Sequence, residues 1–264
     1  MLELNNLSVI FNEGTVNEKL ALDNINLTLD PGDFVTIIGS NGAGKSTLFQ
    51  AISGAVDTKS GSIILNGKDI TFEPEYRRSR VIGRLFQDPM LGTASEMQIL
   101  ENLALAKRRG KHRGLSWGVS KNEKDEYYEL VKSLNLGLEN RLTTKVGLLS
   151  GGQRQAVTLL MATLQKPKLL LLDEHTAALD PATSAKVLSL TEKIVNEQNL
   201  TAMMVTHNMK DAIDIGNRLI MMYDGHIIYD VKGEEKRNLK VSDLLKKFEE
   251  ASGEEFVNDR MLLG

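Results

Sequence analysis

The run Gly39-Ser40-Asn41-Gly42-Ala43-Gly44-Lys45-Ser46-Thr47 carries the residue types needed to hold phosphate. Its glycines let backbone N–H groups converge on anionic oxygens, and the helix expected to continue from Thr47 adds positive potential at its start. Lys45 is placed to reach the β- and γ-phosphates of a nucleotide, and the Ser46 hydroxyl to bind Mg2+. A glycine-rich turn that merely joins a strand to a helix is the competing reading. The apolar run Phe34–Ile38 entering the loop, the lysine and the hydroxyl together disfavour it. The loop by itself states nucleotide binding and no particular reaction. No Asn-Lys-x-Asp segment, which guanine recognition would need, occurs in the chain.

A second pattern is Leu169-Leu170-Leu171-Leu172-Asp173-Glu174, an apolar strand ending in two carboxylates. Asp173, at the strand end, is placed to hold a Mg2+ hydration shell, and Glu174 to polarise a water for in-line attack on a γ-phosphate. Alone, such a run is often a plain core strand with a solvated end. Downstream of a phosphate loop it gains weight. A third pattern is Leu149-Ser150-Gly151-Gly152-Gln153, where small residues at a helix start expose N–H groups and a hydroxyl. In isolation Ser-Gly-Gly is usually a helix-start turn. Beside an existing phosphate cradle, a second one points to a site shared across a dimer.

Taken together these motifs resemble the ATPase subunits of ABC transporters over about residues 1–230. The resemblance implies an α/β fold: a RecA-like P-loop NTPase core with an antiparallel β subdomain and an inserted α-helical subdomain. It implies a head-to-tail dimer in which Ser150, Gly151, Gly152 and Gln153 of one copy cover the ATP held by residues 39–47 of the other. Gln87, in Phe86-Gln87-Asp88-Pro89, matches the glutamine that contacts Mg2+ and the attacking water. Asp180, in Ala178-Leu179-Asp180, matches the loop that crosses the dimer interface. His207 matches the histidine that contacts the γ-phosphate, although a lone histidine at a strand end is more often structural. Phe11 lies where the family stacks an aromatic on adenine, with ordinary core packing as the alternative. One departure is His175, which follows Glu174 where the family has proline or alanine. The run Asp173 to Asp180 resembles bacterial importer ATPases paired with permeases of the branched-chain amino acid type, some linked to aromatic amino acids. His175 is expected to pack or to touch the dimer partner, with an influence on the pH response of the site as the other reading.

The elements that must position these residues follow from periodicity. Leu2, Leu4, Leu7 and Val9, then Ile25, Leu27 and Leu29, alternate as half-buried antiparallel strands do. Ser62–Leu65 followed by Asn66-Gly67 predicts a hairpin, and Asp224-Gly225 predicts another between Leu219–Met222 and His226–Tyr229. Phe34–Ile38, Leu169–Leu172 and Ala202–Val205 are continuous apolar runs, as expected of central parallel strands. Helices are expected over residues 122–134 and 150–164, and from Asp180-Pro181 to about Gln198. The expected organisation is an ATPase domain over 1–233, with core and antiparallel sheet at about 1–90 and 166–233 and a helical subdomain at about 91–165. A charged helical extension over 234–264 carries Leu244, Leu245 and Phe248 on one face.

Composition narrows the partners. A net charge of −3 gives no general attraction to nucleic acid, and the absence of cysteine excludes disulfides and thiolate metal sites. No apolar run is long enough to cross a bilayer and no signal peptide begins the chain, so membrane work would proceed through a partner. The implied partners are integral-membrane permease subunits, an extracellular solute-binding protein and a second copy of the chain, at the cytoplasmic face of the membrane, with ATP and Mg2+ as cofactors. The contrasting function is a soluble ABC ATPase such as an iron–sulfur assembly subunit; Gln153-Arg154-Gln155 is more similar to the transporter ATPases. The segment 92–97 lies where the family accepts a permease helix. The basic run Lys107 to Arg113, with Trp117 beyond it, is either a solvated loop or a contact with permease or lipid headgroups.

Overall fold

The computed structural model describes residues 1–111 and 118–253. His112, Arg113 and Trp117, and the end of the C-terminal extension, lie outside the described residues. Along the chain run β1 (Leu2–Phe11), β2 (Lys19–Leu29), β3 (Phe34–Gly39), α1 (Lys45–Ser53), β4 (Ser60–Leu65), β5 (Lys68–Asp69) and α2 (Glu75–Arg78). Next come β6 (Ile82–Leu85), α3 (Ile99–Lys107), α4 (Lys121–Lys132), α5 (Gly151–Thr163), β7 (Leu169–Asp173) and α6 (Pro181–Glu197). The remainder is β8 (Ala202–Val205), α7 (Met209–Asp214), β9 (Arg218–Tyr223), β10 (His226–Lys232), α8 (Glu234–Arg237) and α9 (Val241–Ser252). The described residues fall into two compact units, residues 1–78 with 200–253 and residues 79–199. The stretch expected as a helical insertion falls inside the second.

In the first unit β1 and β2 pair antiparallel, with Leu2 opposite Leu29 and Leu4 opposite Leu27, in a sheet of order β2-β1-β4-β5. Asn66 and Gly67 both take positive φ, 52° and 74°, which is the tight hairpin geometry that brings Leu65 opposite Lys68. Asp224 and Gly225 do the same between β9 and β10. All of β3 is buried, because β8 and β9 flank it in parallel. The pattern of β9 predicts only a hairpin strand. The structure makes it in addition a parallel neighbour of β3, a pairing that no local signal encodes.

The C-terminal extension completes this unit. Leu244 and Phe248 of α9 are fully buried against Met209 and Ala212 of α7 and Leu219 and Met221 of β9. Lys236 of α8 is also buried, and its ammonium donates to the carbonyls of Ile213 (2.8 Å), Ile215 (2.5 Å) and Gly216 (3.1 Å) at the end of α7. Those carbonyls have no partner within a six-residue helix, so the cation answers both their hydrogen-bonding need and the helix dipole.

In the second unit β6 and β7 pair in parallel, and Ile99, Leu103, Tyr127, Val131, Val157 and Leu160 form the core joining α3, α4 and α5. Lys107, Arg108 and Arg109 of the basic run are engaged within the unit, while Gly110 and Lys111 are exposed, as a solvated loop would be. Lys107 ends α3 and pairs with Glu126, Arg108 pairs with Glu123 at 2.9 Å, and Arg109 donates to the Ala162 carbonyl at 3.3 Å. Glu123 and Glu126 of α4 draw Lys107 and Arg108 inward. His175 is buried, and its Nε2 lies 3.1 Å from Thr191 Oγ1. The Thr191 proton goes to the Val187 carbonyl at 2.8 Å, so Nε2 must be the donor and the ring is the neutral ε-tautomer. Packing is therefore its role, and burial pushes its pKa from the usual 6.5 down to about 4.

Two outcomes follow. Lys236→Met keeps the aliphatic stem but strands one buried and two part-buried carbonyls, so urea denaturation should show a loss of about 1–3 kcal/mol. For His175, the unfolded chain binds its proton near pH 6.5 and the folded chain only near pH 4. Protons thus favour unfolding between those values, and stability should fall as pH is lowered through that window, by on the order of a few kcal/mol at its lower end. Denaturation at pH 7 and pH 5 should show a smaller difference for His175→Gln than for the unaltered chain. An equal difference would show that His175 is not the group responsible.

Candidate functional site

Within the first unit the phosphate-binding pattern sits between β3 and α1. Gly44 takes φ 98°, and a Cβ there would stand 2.7 Å from the Ala21 carbonyl, so only glycine allows β2 to approach so closely. The hairpin turn of β9 and β10 fixes the loop from another side. Gly225 N donates to the Ala43 carbonyl at 3.2 Å, and Asp23 N donates to the Gly225 carbonyl at 3.0 Å. Lys45 is buried along its stem, and its ammonium donates to the carbonyls of Gly39 (2.7 Å) and Ser40 (3.0 Å). Asn41, Gly42 and Ser46 are exposed, and Thr47 is partly so.

Phe11 is partly exposed at the end of β1, directly across from Lys19. The Lys19 ammonium lies 3.9 Å from where a Cβ on Gly42 would be. Sequence patterns gave no reason to single out Lys19, since its approach to the loop depends on the β1–β2 pairing. His207 follows β8, and Thr206 N donates to the Ile37 carbonyl of β3 at 3.1 Å. His207 and the phosphate loop therefore emerge from the same end of two paired parallel strands, where α/β folds place ligands. Asn208 caps α7 directly after His207, accepting from Lys210 N and Asp211 N. Asp211, one turn on, has its pKa raised, first by burial and then by Asp214.

In the second unit, Leu85 and Leu172 are paired at the carboxyl ends of β6 and β7, so Gln87 and the carboxylates Asp173 and Glu174 leave the strands at one end. Glu174 takes φ 42°, a left-handed conformation uncommon for a side-chain-bearing residue, and the chain turns there, with Ala177 N donating to the Glu174 carbonyl at 3.0 Å. Gln155 of α5, marked by sequence only as part of a family resemblance, joins these two segments. Its buried amide donates to the His175 carbonyl and, at 3.4 Å, to that of Phe86, holding together the segments that carry Glu174 and Gln87.

Ser150 caps α5, accepting from Gln153 N at 3.4 Å, while Gln153 Oε1 accepts from Ser150 N at 3.2 Å. Among the described residues no acceptor takes the Ser150 hydroxyl proton. A Cβ on Gly152 would stand 2.2 Å from Thr183 Cγ2, so part of the reason for glycine here is the close packing of α5 on α6. Gly151 is exposed. Asp180 caps α6, as its position before Pro181 predicts; its hydrogen bonds from Thr183 hold its carboxyl below the usual range. No helix among the described residues is long and apolar enough to cross a membrane.

The chain is similar to known proteins over most of its length. The family described as ABC transporter matches residues 22–177. The tyrosine transport ATP-binding protein of Clostridioides difficile (strain R20291) is 47% identical, covering 95% of this chain and 100% of its own. The phosphonates import ATP-binding protein PhnC of Lactobacillus johnsonii is 34% identical, covering 97% of this chain and 99% of its own. Among solved structures, the ADP conformation of MJ1267, an ATP-binding cassette of an ABC transporter, superposes with a TM-score of 0.77 at 28% identity, covering 96% and 99% of the two chains. A dimeric post-hydrolysis state of the cassette MJ0796 bound to ADP and Pi gives 0.75 at 29% identity, covering 88% and 98%. With its phosphate loop, its paired carboxylates and this likeness over nearly the whole chain, the protein belongs to the ABC transporter family, as an ATP-binding and ATP-hydrolysing subunit.

Proposed function

We propose that the chain powers import of an amino acid, with an aromatic one as the first candidate, as the ATPase subunit of a membrane importer. The observation that carries this reading is the full-length likeness to a tyrosine transport ATP-binding protein. The permease subunits and a solute-binding protein would be other chains, and this one would lie at the cytoplasmic face of the membrane, held there by the permease. Segment 92–97 is the proposed place of permease contact.

In this reading Phe11 stacks on adenine, and the backbone from Gly39 to Thr47 surrounds the phosphates. Lys45 exchanges two neutral carbonyl acceptors for anionic phosphate oxygens, a stronger hydrogen bond for the same buried ammonium. Ser46, Gln87 and Asp173 would hold Mg2+. Among the described residues no cluster of three or more His, Cys, Asp or Glu could bind a metal alone. A hydroxyl, an amide oxygen and one carboxylate, completed by phosphate and water oxygens, are a hard-oxygen set that fits Mg2+. The ion supplies charge neutralisation at the β- and γ-phosphates. Glu174 accepts a proton from water as its oxygen bonds to the γ-phosphorus and the bond from that phosphorus to the β-phosphate oxygen breaks, giving ADP and phosphate. His207 donates to a γ-phosphate oxygen. Ser150, with Gly151, Gly152 and Gln153, covers the nucleotide of a second copy, the Ser150 hydroxyl donating its available proton, and Asp180 stands at that interface.

Glu174→Gln should bind ATP yet hydrolyse it about 10³-fold more slowly, in the range a positioned general base contributes. With ATP it should run as a dimer on a sizing column. Lys45→Ala should lose productive ATP binding. Adding Ser150→Arg to Glu174→Gln should return the dimer to monomer while ATP stays bound; persistence of the dimer would remove the head-to-tail arrangement, and normal turnover in Glu174→Gln would remove the assigned base.

Import is tested in cells. Uptake of labelled tyrosine, phenylalanine and branched-chain amino acids should fall to background for the transported solute when Glu174→Gln replaces the native chain. Unchanged uptake of all of them would exclude this class of solute.

A further inference from the structure

We propose that Arg84 is a positioning residue that holds Asp173 through an ion pair until a divalent cation takes over that carboxylate, and that couples this exchange to the Gln87 segment. The proposal rests on Asp173 being the metal carboxylate. Arg84 lies on β6 opposite Leu171 of β7, two residues before the strand-end Asp173. Its Nη2 is 3.8 Å from Asp173 Oδ2, and both side chains are largely shielded, 13% and 14% exposed. At that distance the contact is a charge interaction and not a tight hydrogen bond. The guanidinium also lies over the ring of Phe86, 4.6 Å from its centroid. Arg84 and Phe86 are two apart on an extended segment and share a face.

These contacts give Arg84 two anchors of different kinds. One is a carboxylate whose charge a metal can neutralise. The other is an aromatic face that remains when the metal arrives. Phe86 immediately precedes Gln87, and its carbonyl is held by Gln155, which also holds the carbonyl of His175. A change of partner at Arg84 is thus felt at both neighbours of the proposed metal site. A fixed positive charge beside the carboxylate also repels a divalent ion. Arg84 orients Asp173 at the expense of metal affinity, and this makes nucleotide binding less dependent on Mg2+ than a lone carboxylate would.

The test is calorimetric binding of a hydrolysis-resistant ATP analogue to the full chain, once with EDTA and once with saturating Mg2+, and it reads the ratio of the two dissociation constants. Arg84→Met should raise that ratio about tenfold, because a unit charge beside a divalent ion in a half-buried site has been removed. Arg84→Gln, which tolerates solvent if the Met variant folds poorly, should act in the same direction. Arg84→Lys keeps the charge but loses the planar stack on Phe86, so it should raise the ratio less than Arg84→Met does. A guanidinium that only packs the strand would weaken both constants alike, and an unchanged ratio in Arg84→Met and Arg84→Gln would overturn the proposal. Asp173→Asn separates the two levels of argument. Its ratio should collapse toward one; if it collapses while the Arg84 variants match native, only the role of Arg84 fails. If Asp173→Asn keeps the native ratio, the metal assignment falls and the proposal with it.

Discussion

The first unit depends on the pairing of one short strand. β3 has β8 on one side and β9 on the other, and all six of its residues are buried. Burying side chains such as Val35 and Ile37 completely stabilises the strand by about 2 kcal/mol each. Its polar groups are matched as well. Phe34 N donates to Asn217 Oδ1 at 2.9 Å, and Thr36 Oγ1 donates to the Ala212 carbonyl at 2.7 Å. A strand so constrained cannot shift by one residue without turning its apolar set the wrong way and orphaning those groups. The phosphate loop at its end and His207 at the end of its neighbour β8 inherit that fixed register.

The second unit applies the same logic with less material. β6 and β7 are four and five residues long, so pairing alone holds them weakly. Polar contacts at their carboxyl ends do the rest. Arg84 ties the end of β7 to the face of β6, and Gln155 reaches from α5 to the carbonyls of Phe86 and His175. The left-handed turn at Glu174 is sustained by that surrounding network, as a backbone strain of roughly 1–3 kcal/mol must be. His175, where a proline or alanine was the family expectation, belongs to the same network: its ring is sealed against Thr191 and its carbonyl serves Gln155.

What was legible in the sequence was whatever is encoded locally. The glycine pattern of the phosphate loop, the Asn66-Gly67 and Asp224-Gly225 turns, the Asp180 cap and the apolar runs of β3, β7 and β8 each state their conformation within a few residues. The rest depends on partners far along the chain. Arg84 reads as an ordinary strand residue until β7 is laid beside it. Gln155 reads as a polar residue of an amphipathic helix, although it is buried. The basic stretch after α3 reads as surface because its counter-charges, Glu123 and Glu126, lie on the next helix and not on its own. β9 was visible as a hairpin strand through its turn. Its parallel pairing with β3, which sets residues 35–39 beside residues 218–222, was not.

Buried cations at the ends of two short helices show why such remote partners are needed. α1 follows the phosphate loop and α7 follows His207, and they are nine and six residues long, too short to be stable as isolated helices. Each therefore has carbonyls at its C-terminus that must find donors inside the protein. Arg78, 3% exposed, supplies them for α1, donating to Ala51 at 2.7 Å and Ile52 at 3.0 Å while also binding the carbonyls of Thr71 and Glu73. Lys236 supplies them for α7 from the C-terminal extension. In both cases the positive charge also complements the negative end of the helix dipole. Both helices are thus held from their C-terminal ends, opposite the ends where residues 39–44 and His207 lie. On this view the C-terminal extension is part of the ATPase unit: without Lys236, Leu244 and Phe248, the helix that follows His207 would keep its N-terminal cap and lose its anchor.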